Sequence, residues 1–151
     1  RVEATDGSGN TTTVTRSYDV RPAHRPDAWV KPRGGRWVGD DVYGRARAQR
    51  AVVGLPRRGA VRTVFVRVQN DGAVTEPFDV RTVGKQRGFR LGTSRRGSTL
   101  EVEPGAHAAI RVRVARAGAR PGTSLVAKVV VRSSSDPTVR DAVSIRFAAR
   151  R

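Results

Sequence analysis

Few side chains in this chain of 151 residues carry reactive chemistry, and their spacing limits what they could do. His24 and His107 are the only histidines. His24 sits in a proline-rich stretch and His107 follows the Pro104-Gly105-Ala106 turn, so neither has a second histidine or a carboxylate cluster at metal-ligand spacing. Both read as solvated surface histidines. Asp40-Asp41, after Trp37-Val38-Gly39, is the best metal candidate. Calcium takes about six to eight oxygens, and two adjacent carboxylates fall short unless other loops contribute, so an exposed turn is expected and no metal site. Ser94, Ser98 and serines 133–135 lie in turns, outside any G-x-S-x-G elbow and without a base. Gly34-Gly35 lacks the spacing of a phosphate-cradling loop. Glu101 and Glu103 alternate with apolar residues and should point outward together, facing Arg111 or Arg113 on the next strand rather than flanking a glycosidic bond. With no cysteine there are no disulfides, zinc-thiolate sites or cysteine nucleophiles. These residues lead us to expect no enzyme and no cofactor.

Two groups could bind without catalysing. Trp29, Trp37 and Tyr43 lie close together in sequence, and aromatic rings can stack on sugars or bases. The competing reading is that they plug the open end of a sandwich or seat a linker, which we favour because buried aromatics contribute a large packing area. Arg57-Arg58, Arg95-Arg96 and Arg111/Arg113 could form a basic surface. Interleaved aromatics would make that surface a single-strand binder, but the aromatics lie in a different segment. Loose, salt-sensitive polyanion binding is therefore expected, and sequence-specific nucleic-acid recognition is not. Of the 30 basic residues behind the net charge of +17, only Lys31, Lys85 and Lys128 are lysine, leaving 27 arginines. That ratio, with abundant Ala, Gly and Val, looks like the codon bias of a GC-rich genome, and the arginines are scattered rather than massed in one arm.

The elements that must position these residues are strands. Val64-Phe65-Val66-Arg67-Val68-Gln69, Leu100-Glu101-Val102-Glu103 and Ile110-Arg111-Val112-Arg113-Val114 each place apolar side chains at every second position, the period of a half-buried strand. Strands are expected around Trp29 and at 51–53, 61–69, 76–82, 88–91, 99–103, 108–115, 124–132 and 138–147. The turns between them are Asn70-Asp71-Gly72, Pro104-Gly105, Pro121-Gly122 and residues 133–137. Residues 45–53 could instead form a short helix, since Ala, Arg and Gln are good helix formers. Aromatics make up 5% of the chain, so the core should be aliphatic and rich in valine. No run of about 18 apolar residues exists to span a membrane. The chain begins at Arg1, which suggests a processed product or an excised fragment.

Residues 1–20 read as a hairpin around Asp6-Gly7-Ser8-Gly9-Asn10, with Val14, Tyr18 and Val20 on one face of its second strand. Residues 21–35, with Pro22, Pro26, Pro32, Gly34 and Gly35, read as a stiff linker in which Asp27-Ala28-Trp29-Val30 starts the next domain. The stretch from Val2-Glu3-Ala4-Thr5-Asp6 through Asn10-Thr11-Thr12 to Tyr18-Asp19-Val20 resembles the closing hairpin of a bacterial immunoglobulin-like repeat. The ordered series Val66-Arg67-Val68-Gln69-Asn70-Asp71-Gly72, Phe78-Asp79-Val80, Leu100-Glu101-Val102-Glu103-Pro104-Gly105 and Ile110-Arg111-Val112-Arg113-Val114 resembles CARDB-like and NEW3-like accessory domains of bacterial surface and secreted proteins. The resemblance implies an all-β, immunoglobulin-like antiparallel β-sandwich of seven or eight strands over 36–151. It also implies an extracellular or cell-surface setting and a spacer or adhesive role beside other domains. The partners to expect are neighbouring domains and a cell-surface polysaccharide or other anionic polymer. A carbohydrate-binding accessory module and a salt-sensitive polyanion-binding module are the competing functions.

Overall fold

The computed structural model describes residues 2–17, 20–44, 46–94 and 99–151, so Tyr18, Arg95, Arg96 and Ser98 lie outside the described residues. The chain is all-β, with eleven strands in three sheets and no helix among the described residues. Hence none there is long and apolar enough to cross a membrane. Strands β1 (Val2–Thr5) and β2 (Thr11–Val14) form the expected hairpin. Its turn is closed by the Asp6 carboxylate, which accepts from the Ser8 and Asn10 backbone N–H groups at 2.9 and 3.0 Å and from the Asn10 side chain at 3.0 Å. Residues 3–17 are exposed throughout, so the hairpin buries little apolar surface of its own.

The remaining strands stack as a sandwich of two sheets. One has the order β4 (Arg50–Leu55), β11 (Arg140–Ala149), β10 (Ser124–Ser133), β6 (Glu76–Val83), β8 (Thr99–Val102). The other has the order β3 (Pro26–Pro32), β5 (Val61–Asn70), β9 (His107–Arg116), β7 (Phe89–Thr93). The four-stranded order occupies the places of strands A-B-E-D of an immunoglobulin domain, and β6-β10-β11 those of C-F-G. Nine strands build the sandwich where seven or eight were expected. The first strand is divided between the sheets as β3 and β4, and β8 is an added edge strand beside β6. The sandwich is also not wholly antiparallel, because β4 runs parallel to β11.

Alternation decides which side chains meet between the sheets. Val64, Val66 and Val68 of β5 and Ile110, Val112 and Val114 of β9 are fully buried, as are Phe78, Val129, Val131, Ile145 and Phe147 of the facing sheet. Burying each such side chain contributes about 1.5–3 kcal/mol. Among the described residues only two aromatics, Phe78 and Phe147, are fully buried in this core, so it is aliphatic as the composition requires.

The strand pairing settles four local points. The segment read as a linker enters the sandwich early: β3 pairs with β5 from Pro26↔Asn70 to Pro32↔Val64, and Pro26 and Pro32 mark its ends. Residues 51–53 lie in strand β4 as expected and not in the alternative short helix, because Ala51, Val53 and Leu55 find buried positions beside β11 that outweigh helix propensity. Glu101 lies opposite Pro77 in the five-stranded sheet, away from Arg111 and Arg113 in the other. Finally, Asn70-Asp71-Gly72 crosses between sheets and uses no left-handed residue. Gly72 is required because a Cβ there would come within 2.3 Å of the Ala23 carbonyl oxygen.

Candidate functional site

The outward face of β3-β5-β9-β7 concentrates the cationic and aromatic side chains that the sequence scatters. Pairing sets Lys31 opposite Phe65 and Phe65 opposite Arg111, giving a cross-strand row of cation, aromatic and cation. The next rows are Trp29, Arg67 and Ala109 on one side, and Thr63, Arg113 and Gly92 on the other. Trp37 reaches the same face because Val30 and Val38 exchange backbone hydrogen bonds of 2.8 and 3.0 Å, folding the following segment back on β3. The Arg67 guanidinium carbon lies 4.6 Å from the Trp37 ring centre and 5.1 Å from that of Trp29, and Lys31 Nζ lies 5.6 Å from Trp37. Each such cation–π contact contributes about 0.5–1 kcal/mol at an exposed site.

Two open depressions on this face share Arg33. One is lined by Arg33, Arg62, Ser94, Arg111 and Arg113, and the other by Lys31, Arg33, Trp37, Phe65 and Arg67, with His107 at its border. The four strands carry a single carboxylate, Asp27, at the start of β3. By contrast, the outward side of the opposite sheet mixes signs, as in the Arg132–Asp79 pair at 3.2 Å.

The two predicted groups therefore meet in part. Trp29 and Trp37 share a face with Arg111 and Arg113, so basic and aromatic side chains are interleaved in space although separated in sequence. Arg57 and Arg58 stand apart in the connection before β5, where Arg58 Nε donates to the Ala117 carbonyl at 3.1 Å. Lys31, Arg33, Arg62 and Arg67 were missed as site residues. The outward parity of Arg67 was readable, but the strand neighbours that give it meaning were not.

The three aromatics form no open row. Trp29 and Trp37 are half-buried, with ring centres 6.3 Å apart and planes at 73°. Tyr43 is also half-buried, and the Arg25 guanidinium carbon lies 3.9 Å from its ring centre. Its hydroxyl sits 2.8 Å from Asp41 Oδ1 and 2.7 Å from Asp71 Oδ2. Burial, then the two carboxylates, raise the Tyr43 pKa far above the usual phenol range.

Beside this face, at the end where the chain enters the sandwich, lies an acidic centre. The fully buried Asp27 accepts through Oδ2 from the Trp29 indole N–H and from the Asp41 backbone N–H, the latter at 3.1 Å. Burial pushes its carboxyl up to about 7 against the opposing pull of these hydrogen bonds. Asp141, also raised by burial, accepts from the Ala28 and Gly44 N–H groups at 2.8 Å each and from Gln49 Nε2 at 2.9 Å. Gly39, at φ 116°, admits this packing: a Cβ there would lie 2.7 Å from both the Ala28 carbonyl and Gln49 Oε1. Asp41 was expected in an exposed turn and is exposed, yet it joins Asp27 and Asp71 rather than Asp40. His24, read as a solvated histidine, is instead half-buried, with Nδ1 2.6 Å from Glu76 Oε2.

No family model matches this sequence, and no curated protein does. Among solved structures the fold is similar to the N-terminal domain of PorA, with a TM-score of 0.54 at 15% identity, covering 81% of this chain and 96% of that one. It is also similar to part of a family 123 glycoside hydrolase from Clostridium perfringens, with a TM-score of 0.50 at 7% identity, covering 66% of this chain and 23% of the hydrolase. At these identities the likeness concerns the β-sandwich fold alone.

Proposed function

We propose that this chain is a non-catalytic docking module of a larger secreted or cell-surface bacterial protein, and that the β3-β5-β9-β7 face engages an anionic surface polymer. The observation that carries the reading is the convergence of Lys31, Arg33, Arg67, Arg111 and Arg113 on one face, with Arg62 bordering the same depression, on strands that hold a single carboxylate at their margin. Cations on a flat, open sheet favour a repeating polyanion over a small ligand, which would need an enclosed cavity. Phe65 and Trp37 add apolar surface between the charges, against which sugar rings of such a polymer can lie. The motif series around Asn70-Asp71-Gly72 and Pro104-Gly105 supports placing the sandwich with CARDB-like or NEW3-like accessory modules.

A neutral-carbohydrate module is the weaker reading, because Arg67 lies against both tryptophan rings that a sugar would need. A plain spacer would need no such face. Retention on heparin-like polyanion, peptidoglycan and neutral polysaccharide columns tests the three. Polyanion retention at low salt, lost by about 0.3 M where screening is strong, is expected. An Arg111→Ala/Arg113→Ala double variant should elute at lower salt and show a shallower salt dependence by about two charges. Equal retention of the double variant overturns this face as the site. Neutral-sugar retention at high salt, abolished by Trp37→Ala, establishes the carbohydrate reading, and no retention on any column leaves the spacer.

A further inference from the structure

We propose that Asp27, Asp41 and Asp71 form a binding site for a hard divalent cation, calcium in preference to magnesium, at the end of the sandwich where the chain enters it. The three carboxylates come from separate elements: the start of β3, the turn after Gly39, and the connection from β5 to β6. One oxygen from each lies within 4.8 Å of the others. Among the described residues, no lysine or arginine nitrogen lies within 4 Å of any of them, in a chain of net charge +17.

An acidic group on a surface can be neutralised by water, but this one is not wholly on the surface. Asp27 is 0% exposed, and while its Oδ2 accepts from the Trp29 indole and the Asp41 N–H, its Oδ1 has no hydrogen-bond partner, so this member of the group keeps a desolvated carboxylate oxygen with nothing to compensate it. The single Tyr43 hydroxyl proton lies within reach of both Asp41 Oδ1 and Asp71 Oδ2 and can satisfy only one at a time. A second buried acceptor without a donor, Gln49 Oε1, lies beneath Gly39 at the base of the Asp41 turn. Several acceptors short of donors fit a cation better than a water, which must donate as well as accept.

The donor set selects the ion. All three side chains offer oxygen, which suits calcium, magnesium or manganese rather than zinc or copper. Ligands drawn from three independent connections give a loose cage, which calcium tolerates and the strict octahedron of magnesium does not. Water and nearby backbone carbonyls would complete the coordination. A bound ion would tie the entering segment to the β5–β6 connection and fix the angle at which residues before Pro26 leave the sandwich.

The test uses the full chain after chelator treatment. Calcium is titrated by calorimetry, and terbium by luminescence sensitised through Trp29 and Tyr43, which touch Asp27 and Asp41 respectively. One saturable site per chain is expected, with magnesium at least tenfold weaker. Asp71→Asn and Asp41→Asn should each weaken calcium at least tenfold and reduce the terbium signal; both residues lie outside the core, and circular dichroism checks that each variant is folded. No saturable calcium heat and no sensitised terbium emission at millimolar ion overturns the proposal. Undiminished binding in both folded variants overturns it too, by placing the ion elsewhere. If neither variant folds, wild-type terbium emission decides, because only an ion within a few ångströms of these rings is sensitised.

Discussion

Arg116 is 5% exposed, and its guanidinium is held by carbonyls. Nε donates to Ala119 at 2.9 Å, and Nη1 lies 3.1 Å from the Leu55 oxygen, 3.2 Å from that of Pro56 and 2.7 Å from that of Arg150. One planar fork thus ties the end of β4, the loop after β9 and the C-terminal segment after β11. Hydrogen bonds to a charged group contribute about 1.5–3 kcal/mol each, though not additively, and truncation strands several buried carbonyls at once. Arg116→Ala should therefore cost about 3 kcal/mol or more in urea unfolding, while Arg116→Lys, lacking the planar fork, recovers only part. A loss under about 1 kcal/mol would sink this account. The parity of Arg116 was legible, since it continues the inward series Ile110, Val112 and Val114. Its carbonyl partners were not, because they come from turns whose positions no local pattern encodes. The same holds for Asp27 and Asp71: each is unremarkable in sequence, and only the pairing of Asp27 with Gln69 across β3 and β5 brings them near each other.

Strand alternation was the most readable level of this protein, because the two-residue period is set by the backbone and survives any arrangement of sheets. All nine strands of the sandwich lie where alternation and turn residues placed them. Which strand pairs with which was not readable, and errors followed wherever it mattered, as when Glu101 was set against Arg111. The segment at 21–35 shows the other limit: proline density signals that helix is excluded, but an edge strand tolerates proline at its ends. That segment is also clasped from outside the sheet. His24 meets Glu76, whose other oxygen accepts from the Ser133 hydroxyl at 2.5 Å and the Ser135 N–H at 3.1 Å, joining the entry segment, β6 and the β10–β11 turn. Burial acts to raise the Glu76 pKa, but these hydrogen bonds and His24 outweigh it and leave the pKa lowered. A folded pKa below the unfolded one stabilises the fold above the ordinary glutamate range and loses that contribution as pH falls through the folded value. Glu76→Gln should thus be less stable than wild type by about 1–3 kcal/mol at pH 7, the range for hydrogen bonds to a charged group. The gap should narrow as unfolding is repeated at pH values falling from 7 through the range in which the Glu76 carboxylate takes up its proton. A gap that stays constant across that range would contradict the clasp as an ionic contact.

Across the whole molecule, 30 basic residues oppose 13 acidic ones. Part of that excess lies on the β3-β5-β9-β7 face, where Arg111 and Arg113 share one depression with Arg33 and Arg62. Part lies on the opposite sheet, where the Arg132–Asp79 pair offsets it locally. Like charges held on a compact body repel one another more than on an expanded chain, so the excess destabilises the fold while it attracts polyanions. Salt then acts on the two properties in opposite directions. Screening weakens polymer binding, but it also relieves self-repulsion, since the Debye length falls from about 30 Å at 0.01 M to about 8 Å at 0.15 M. If that relief amounts to about 1 kcal/mol, Tm should rise by about 2–4 °C over this range for a chain of this size. Sodium chloride should be the salt used, because sulfate and phosphate would bind the arginines directly and also strengthen apolar burial. Calorimetric scans at the two ionic strengths, beside the same scans of the Arg111→Ala/Arg113→Ala variant, separate the contributions. A smaller salt-dependent rise in the variant would place much of the repulsion on the proposed docking face, where function would account for its retention. An equal rise would spread the repulsion over both sheets, as expected of charge set by genome composition, and would leave the docking face resting on its binding data alone.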